Sequence, residues 1–418
     1  MAPPRLPCPA LNPASVRILF SVTHASAKPR ASRRAAKKFD AIPLLDLRRQ
    51  YDQIREDILA AVERVCASQS FILGAEVEAL ESELAAFTGA AAAVACSSGT
   101  DALWLALFAS GIQSGDAVIT TPFSFFASAS AIVRIGARPV FVDVQPGTLN
   151  LDPARVEARF REGGFSGVRA LLPVHLYGQC ADMTALRHLA EEFNLHLIED
   201  AAQAVGASWR NLRAGSLGTA AAFSFYPTKN LSAYGDAGLV TTVDTGLAER
   251  MRRLRNHGSP RRYQHDEIGW NCRMDAIQAA ILRVKLPHLD KWTEHRRERA
   301  ARYGVLLSEA GLLTPAGDAP LQLLETSPHA YHVFHQYVVR ARRRDDLRNF
   351  LTDRKIGTEV YYPMPLHLQP CFTYLGFRAG DLPEAERAAG EVLALPMFPE
   401  LTAPEQQAVV EAIAEFYS

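Results

Sequence analysis

The sequence lacks a charge bias and lacks any apolar run long enough to cross a membrane. Among its 418 residues, 45 Lys and Arg balance 45 Asp and Glu. This balance gives no electrostatic reason to expect nucleic acid or an anionic membrane as a partner. A transmembrane helix needs about 18 or more consecutive apolar residues, and the sequence contains no such run. We therefore expect no membrane span, no nucleic-acid or membrane partner, and a cytoplasmic location.

Cysteine spacings typical of metal or redox sites are also absent. The six cysteines are scattered along the chain, and no two of them form a C-x-x-C pair. This pattern favours reduced thiols over a disulfide framework and predicts no metal site. The cysteines are Cys8, Cys66, Cys96, Cys180, Cys272 and Cys371.

Acidic residues are absent before Asp40, whereas basic residues, prolines and serines are frequent there. A basic leader without acids is compatible with a targeting peptide. The short apolar piece Val16–Val22 is interrupted by Arg17, which argues against a secretory signal. We therefore favour a disordered tail, or a start codon assigned too far upstream, for residues 1–40.

Beyond this leader, short apolar runs alternate with segments of helical periodicity. Ala91–Cys96 precedes the helical pattern Thr100–Ser110, and Val168–Val174 precedes Met183–Phe193. The alternation predicts βαβ units and an α/β fold with a mostly parallel sheet, with ligands at the carboxyl ends of the strands. We expect three parts: the leader (1–40), a large domain with an N-terminal helical segment (41–290) and a small α+β domain (291–418).

Two residues that follow apolar runs carry the main chemical signal. The predicted strand Leu195–Ile198 leads to Asp200, and a second apolar run leads to Lys229 in a short loop. Chemistry on pyridoxal phosphate (PLP) needs such a pair, a lysine amine that forms a Schiff base and an acid that keeps the ring nitrogen protonated. A single loop lysine is usually a solvated surface residue, so the prediction depends on the two residues together. The pair predicts a PLP-dependent aminotransferase.

Further residues, in a workable order, match the other groups of this cofactor. Ser97–Asp101 lies between a predicted strand and a predicted helix, and N–H groups at a helix start bind anions such as phosphate. Ser224 precedes Lys229 by five residues and could add a hydroxyl to the same phosphate. Phe125 could stack on the flat ring, and Gln203 could bond its phenolic oxygen.

Seven short blocks of sequence carry a resemblance to a known enzyme family. They are Ser97–Leu103 (SSGTDAL), Pro139–Val144 (PVFVDV), Pro173–Gly178 (PVHLYG), Ile198–Gln203 (IEDAAQ), Ser224–Leu231 (SFYPTKNL), Gly269–Asp275 (GWNCRMD) and Tyr361–His367 (YYPMPLH). The chain resembles the DegT/DnrJ-type aminotransferases, fold-type I PLP enzymes that act mainly on nucleotide-linked keto sugars. This resemblance implies a mostly parallel sheet of the seven-stranded type in the large domain. The likeness runs from about Pro43 to the C-terminus and leaves the basic leader outside.

The resemblance implies a role for each residue of the site. Lys229 and Asp200 are expected to be catalytic, as Schiff-base lysine and ring-nitrogen partner. Asn271 matches an asparagine that reaches the phosphate of the neighbouring subunit, which implies a homodimer with shared active sites. The implied cofactor contacts are Gly99, Thr100, Phe125, Asp200, Gln203, Ser224, Lys229 and Asn271. The implied substrate contacts are Arg273, Tyr362 and His367.

One departure from the family pattern lies just after the lysine loop. The family often has Gly-Asp-Gly-Gly there, whereas this chain has Ala237 in the third position of Gly235–Gly238. The extra methyl group affects fine geometry near a turn and not the chemistry. Some relatives that dehydrate sugars replace the lysine with histidine. Because Lys229 is present here, the resemblance implies amino transfer.

The implied reaction moves an amino group from an amino acid, glutamate by analogy, to C3 of a nucleotide-diphosphate keto sugar in amino-sugar biosynthesis. The segment Arg261–His265 looks more like the 3-aminotransferases than the 4-aminotransferases, although a solvated surface charge cluster is the alternative interpretation. Amination at C4, or of a cyclic ketone such as an inosose, stays open. A non-catalytic PLP-binding regulator also stays open, and a cysteine desulfurase with Cys371 as its reactive thiol is the weakest alternative.

Overall fold

The structure, a computed structural model, describes residues 39–163, 166–313 and 319–418. Nearly all of the predicted leader therefore lies outside the described residues. From Phe39 to Ser418 the chain folds as one unit. No helix in these ranges is both long and apolar enough to cross a membrane.

Six of the α-helices in the described ranges begin at a residue whose side chain accepts from a backbone N–H of the first turn. The Asp46 carboxylate accepts from the backbone N–H of Arg48 over 3.0 Å and starts the first helix. Thr402 and Glu405 form a reciprocal capping box at the last one. The α-helices of the described residues are α1 (Leu47–Ser68), α2 (Ala75–Thr88), α3 (Gly99–Ala109), α4 (Ala127–Arg134), α5 (Pro153–Arg161), α6 (Met183–Glu192), α7 (Thr245–Leu254), α8 (Ala276–Lys285), α9 (Leu289–Glu309), α10 (Arg344–Asp353), α11 (Pro383–Glu391) and α12 (Ala403–Tyr417).

The strands of the described residues are β1 (Ala92–Cys96), β2 (Ala117–Thr120), β3 (Arg138–Phe141), β4 (Val168–Leu172), β5 (His196–Asp200), β6 (Ser208–Trp209), β7 (Leu212–Arg213), β8 (Ala220–Ser224), β9 (Gly238–Thr242), β10 (Leu321–Leu323), β11 (Ala330–Tyr331), β12 (Tyr337–Ala341) and β13 (Val392–Leu395). Seven of them form a sheet at the centre of the fold, in the order β1-β9-β8-β5-β4-β2-β3. All strands of this sheet run in one direction except β9, which is antiparallel to β1 and β8. The predicted α/β fold with a mostly parallel sheet is confirmed.

Most predicted element boundaries lie close to the observed ones, and β4 shows why some differ. The apolar pattern predicts a strand over Val168–Val174, whereas β4 ends at Leu172. Pro173 has no N–H to continue the ladder, although its carbonyl still accepts from the backbone N–H of Asp200 over 2.9 Å. This bond holds the end of β5 against the segment that follows β4.

Helix α3 is apolar on all sides and lies inside the protein. Leu103, Trp104 and Leu107 are at most 1% exposed. They share a hydrophobic cluster with Val118 of β2 and Val240 of β9. Because every face of the helix packs against other residues, its N-terminus is fixed at the carboxyl ends of the strands.

The C-terminal part adds two small antiparallel sheets. One consists of β10, β12 and β13, and the other joins β11 to β6 and β7. In the second sheet Ala330 pairs with Trp209, which ties the C-terminal part to the chain between β5 and β8. A separate hydrophobic cluster contains Tyr177 together with Tyr303 and Leu395. The division into domains at about residue 290 stays a prediction.

Candidate active site

Lys229 stands in the loop that follows β8. Its backbone N–H donates to the carbonyl of Tyr226 over 2.8 Å, which closes a tight turn. Burial lowers the pKa of the Lys229 amine to about 8, against the opposing effect of the Asp200 carboxylate. Near neutral pH an ordinary lysine amine is almost entirely protonated, and this one has a usable neutral fraction. The loop therefore presents an amine that can act as nucleophile and base.

Asp200 ends β5, the strand next to β8, and is 4% exposed. Its Oδ2 accepts from the hydroxyl of Ser128 over 2.6 Å, and its Oδ1 accepts from the backbone N–H of Ala202 over 3.2 Å. Burial raises the pKa of this carboxyl group, whereas those two hydrogen bonds and the positive charge of Lys229 lower it. The structure thus brings the two predicted catalytic residues into electrostatic contact.

Gln203 lies in the turn after Asp200 and is held at both ends of its amide. Its Oε1 accepts from the backbone N–H of Tyr177 over 2.6 Å, and its Nε2 donates to the hydroxyl of Tyr362 over 2.9 Å. Burial raises the pKa of the Tyr362 hydroxyl, with the Asp200 charge acting in the same direction. Tyr362, predicted to meet substrate, is therefore hydrogen-bonded to Gln203 and lies within electrostatic range of Asp200.

Phe125 follows β2 and presents an open aromatic face. Its side chain is 59% exposed. The ring centroid lies 6.3 Å from that of Tyr362, at a tilt of 44°. Phe123, two residues earlier, is buried, and its ring contacts Tyr362 edge-on at 6.2 Å. The exposed ring can accept a planar ligand on its face.

The residues predicted to hold phosphate meet where β1 leads into α3. A Cβ placed on Gly99 would lie 2.5 Å from Cβ of Ser224, so only glycine allows these two segments to approach so closely. Gly99 and Thr100 form the first turn of α3, whose N–H groups have no partners within the helix. The Ser98 side chain caps this turn by accepting from the N–H of Asp101 over 3.1 Å.

These groups fit PLP. The start of α3 and the Ser224 hydroxyl offer donors for a phosphate, and the Phe125 face offers a surface for the ring. Asp200 offers an anion for the ring nitrogen, and Gln203 offers an N–H donor for the phenolic oxygen. Lys229 offers an amine of lowered pKa for the aldehyde carbon. The buried anion of Asp200 suits the ring nitrogen of PLP, and the buried amine of Lys229 suits its aldehyde carbon.

The remaining predicted residues, Asn271, Arg273 and His367, have contacts of their own. Asn271 is exposed and forms an isolated antiparallel bridge with Asn256. Arg273 donates to Oδ1 of the same Asn256 over 3.0 Å. His367 is 1% exposed, and its Nε2 lies 3.1 Å from Oε1 of Glu386 on α11. Burial lowers the pKa of His367, with Glu386 opposing the shift.

Several residues of the site were not predicted from the sequence. Asn230, next to Lys229, donates from Nδ2 to the carbonyl of Val333 over 3.3 Å, so its Oδ1 is free to accept from Nδ1 of His335 over 3.1 Å. Burial, reinforced by the charges of Lys229 and Arg296, lowers the pKa of His335. A neutral histidine from the C-terminal part thus holds the lysine loop. Such a contact, made by residues about one hundred positions apart, leaves no local signal in the sequence.

A buried pair behind Asp200 was also missed. His175 and Glu199 are fully buried, and Nε2 of His175 lies 3.0 Å from Oε2 of Glu199. Nδ1 of His175 accepts from the backbone N–H of Ala181 over 3.2 Å, so the proton is on Nε2 and the ring is a neutral donor to Glu199. Glu199 also accepts from three backbone N–H groups, those of Gly215, Leu217 and Gly218. The pair joins the ends of β4 and β5 to the loop before β8.

A family model matches most of the chain. The model of the DegT/DnrJ/EryC1/StrS aminotransferase family matches residues 52–414. Among the proteins similar to this chain is the "Pleiotropic regulatory protein" of Geobacillus stearothermophilus, 52% identical over 90% of this chain and 98% of the relative. Another is the dTDP-3-amino-3,4,6-trideoxy-alpha-D-glucose transaminase of Streptomyces venezuelae, 45% identical over 90% of this chain and 96% of the relative.

Solved structures show the same fold. DesV of S. venezuelae, crystallised in complex with a ketimine intermediate, matches with a TM-score of 0.85 and 44% identity over 90% of this chain and 98% of that one. The Bacillus subtilis protein ntda with bound PMP, the amine form of PLP, matches with a TM-score of 0.81 and 31% identity over 90% of this chain and 85% of that one. The predicted fold type I architecture and PLP as cofactor are confirmed.

Proposed function

The chain belongs to the DegT/DnrJ/EryC1/StrS aminotransferase family, and from that membership we propose that it aminates C3 of a nucleotide-linked keto sugar with glutamate as amino donor. The observation that carries the proposal is the joint placement of Lys229, Asp200 and Gln203 around one site. The product would enter amino-sugar biosynthesis. A cytoplasmic location belongs to the same proposal.

Each residue of the site would have a separate role in amino transfer. When bound, PLP supplies an aldehyde that combines with amines and a ring that withdraws electrons from the substrate carbon next to nitrogen. Lys229, with its lowered pKa, would take a proton from that carbon and return one as a general acid. Asp200 would hold the proton on the ring nitrogen. Gln203 would donate to the phenolic oxygen, and Phe125 would offer its face to the ring.

The choice of substrate rests on the transaminase of S. venezuelae, whose name describes a dTDP-3-amino sugar and which shares 45% identity with this chain. The basic segment Arg261–His265 supports the same choice. In the structure this segment is exposed, and the guanidinium of Arg262 lies 4.9 Å from the ring centroid of Tyr263. Exposed arginines next to an aromatic ring suit a nucleoside diphosphate.

A substrate panel tests this proposal. The protein in its PMP form is mixed with 3-keto and 4-keto nucleotide sugars and with inososes, and the return of the PLP absorbance is followed. We expect the 3-keto nucleotide sugars to react fastest, and removal of the nucleotide to slow them. Reaction with inososes alone would overturn the nucleotide-sugar assignment. The reverse half-reaction, with glutamate, glutamine and alanine added to the PLP form, identifies the donor.

We further propose a homodimer in which Asn271 serves the phosphate of the neighbouring subunit. The exposed apolar side chains of Leu47, Leu59 and Tyr234 line one surface depression, which supports self-association there. Asn271 itself is exposed, as such a contact requires. In its own chain, however, the neighbouring residue Cys272 accepts from the backbone N–H of Ser97 over 3.1 Å. Asn271 therefore lies beside the phosphate loop of its own subunit as well.

Mixing two inactive variants decides between these two placements. Lys229→Ala and Asn271→Ala subunits are combined and allowed to exchange. If Asn271 acts across the interface, one site of each mixed dimer has both native residues, and about a quarter of the wild-type activity returns. If Asn271 acts within its own chain, every site keeps one defect and no activity returns. A sedimentation measurement that shows a monomer would overturn the dimer itself.

A PLP-binding regulator is the alternative of another class, because one relative is named "Pleiotropic regulatory protein" at 52% identity. Lys229, Asp200 and Gln203 favour catalysis, since a regulator that only holds the cofactor has no need for a lysine of lowered pKa at the ring. Addition of amino donors to the PLP-loaded protein distinguishes an aminotransferase from a regulator. A spectral change supports amino transfer, and none with any donor supports the regulator.

A further inference from the structure

Two serines of the segment leading into α4 connect to the ring-nitrogen partner. Ser128, in the first turn of α4, places its hydroxyl 2.6 Å from Oδ2 of Asp200. Ser124 places its own hydroxyl 2.8 Å from that of Ser128. All three side chains are buried, at 1% exposure for Ser128 and 3% for Ser124. None of the roles assigned above involves either serine.

The direction of these hydrogen bonds follows from the chemistry of the groups. An ionised carboxylate can only accept, so Ser128 uses its single hydrogen toward Asp200. The hydrogen between the two serines must then come from Ser124. The chain of donors thus runs from Ser124 to Ser128 to Asp200, and each step fixes the rotation of the next hydroxyl.

The bonds to Asp200 also fix the plane of its carboxylate. Oδ2 is held by Ser128, and Oδ1 is held from the other side by the backbone N–H of Ala202 over 3.2 Å. With one lone pair of each oxygen in use, the others stay free for the cofactor. The Ser128 bond also lowers the pKa of Asp200, against the effect of burial. A hydrogen bond to the charged form of a buried acid favours that form.

We propose that Ser128 is a positioning residue, whose hydroxyl orients the Asp200 carboxylate toward the ring nitrogen of the cofactor, and that Ser124 orients Ser128. The proposal rests on the assignment of Asp200 in the proposed function. It predicts that removal of the Ser128 hydroxyl lowers the affinity for PLP, although the residues that contact the cofactor are unchanged. It also predicts that a side chain with a hydroxyl at the same position restores the affinity.

The experiment titrates cofactor-free protein with PLP and follows absorbance and fluorescence between pH 5 and pH 9. We expect Ser128→Ala to weaken PLP binding about tenfold, the loss of one hydrogen bond to a charged group. As pH falls, binding should fail about one pH unit higher than in the wild type, since a tenfold change corresponds to one pKa unit. Ser124→Ala should give the same changes at a smaller size.

Two variants serve as controls. Ser128→Thr keeps the hydroxyl and should bind PLP within about twofold of the wild type. Ser130→Ala removes a hydroxyl from the same helix at a partly exposed position and should change nothing. Circular dichroism and the unfolding temperature confirm that each variant is folded.

Wild-type-like PLP binding and pH dependence in folded Ser128→Ala would overturn the inference. A loss that threonine does not recover would overturn it too, because the effect would then come from packing. Failure of the wild type itself to bind PLP would instead overturn the proposed function. The two failures are therefore distinguishable in one titration.

Discussion

The backbone N–H of Tyr177 donates to Oε1 of Gln203 over 2.6 Å, and this contact decides which way the amide points. With its oxygen occupied, Gln203 must present Nε2 to the site, where it donates to the Tyr362 hydroxyl over 2.9 Å. In the proposed function this amide N–H₂ group would donate to the phenolic oxygen of the cofactor. The segment after β4, which carries Tyr177, therefore fixes the orientation of one side chain of the proposed cofactor site.

Replacement of Gln203 with Glu tests this orientation. The carboxylate of the variant can still accept from the backbone N–H of Tyr177, but it has no N–H to donate to the phenolic oxygen of the cofactor. Its oxygen and the phenolic oxygen, both hydrogen-bond acceptors, would then face each other. We expect PLP to bind about tenfold more weakly, the usual effect of one lost hydrogen bond to a charged group. Absorbance titration of the cofactor-free protein measures it. Gln113→Glu, the same change at an exposed position, is the control, and equal affinities of the two variants would contradict the expectation.

Reduction with borohydride tests Lys229 directly. Borohydride converts the covalent bond between a lysine Nζ and the PLP aldehyde carbon into a stable amine, which peptide mapping locates. We expect the label at Lys229 in the wild type and none in Lys229→Ala. Lys285→Met removes another buried lysine whose pKa is also lowered to about 8 and should keep the label at Lys229. A label at any other lysine of wild-type protein would disprove the assignment.

The buried carboxylate of Glu199 predicts a large loss of stability on substitution. Glu199→Gln places an amide N–H₂ where His175 and three backbone N–H groups need an acceptor. We expect a loss of about 3 kcal/mol in the free energy of unfolding, typical of an unpaired buried polar group. Urea unfolding measures it, with the exposed Glu191→Gln as control. Equal midpoints for the two variants would show that the buried network contributes little.

Local patterns in the sequence were enough to predict the parallel sheet and several candidate site residues. The alternation of strands and helices gave the parallel sheet because each strand of a βαβ unit is short, apolar and bounded. Lys229, Asp200 and Gln203 could be proposed as site residues because Asp200 ends such a strand and the other two stand a few residues past one, where the sheet presents its carboxyl ends. The close approach of Gly99 and Ser224 confirms that their two loops meet, although the phosphate role stays a prediction.

Contacts between distant segments could not be predicted. His335 reaches Asn230 from the C-terminal part, and Ser128 reaches Asp200 from the helix after β2. Each is a single polar side chain in an otherwise ordinary helix or loop, without periodicity to mark it. The short strands β6, β7 and β11 were missed for a related reason. Two-residue strands have no alternation of their own, and only their pairing with each other defines them.

A last prediction concerns Lys285, a buried cation beside the lysine loop. Its Nζ donates to the carbonyl of Ser232 over 2.8 Å and lies 4.3 Å from the ring centroid of Tyr234. Burial lowers its pKa from 10.5 to about 8. Between these two values the unfolded chain binds a proton that the folded protein does not. The free energy of unfolding therefore rises with pH in this window, by up to about 1.4 kcal/mol per pH unit.

Lys285→Met isolates this contribution, because methionine keeps much of the side-chain length and cannot titrate. Urea unfolding of the cofactor-free wild type and variant is compared from pH 7 to pH 10. Below about pH 8 the difference between them should be constant, since the lysine is then protonated in both states of the wild type. Above that pH the wild type should gain stability relative to the variant. For Lys291→Met, at an exposed position of α9, the free energy of unfolding should change with pH in the same way as in the wild type. Parallel curves for Lys285→Met as well would mean that Lys285 keeps an ordinary pKa, because a cation held equally well in both states leaves no pH dependence.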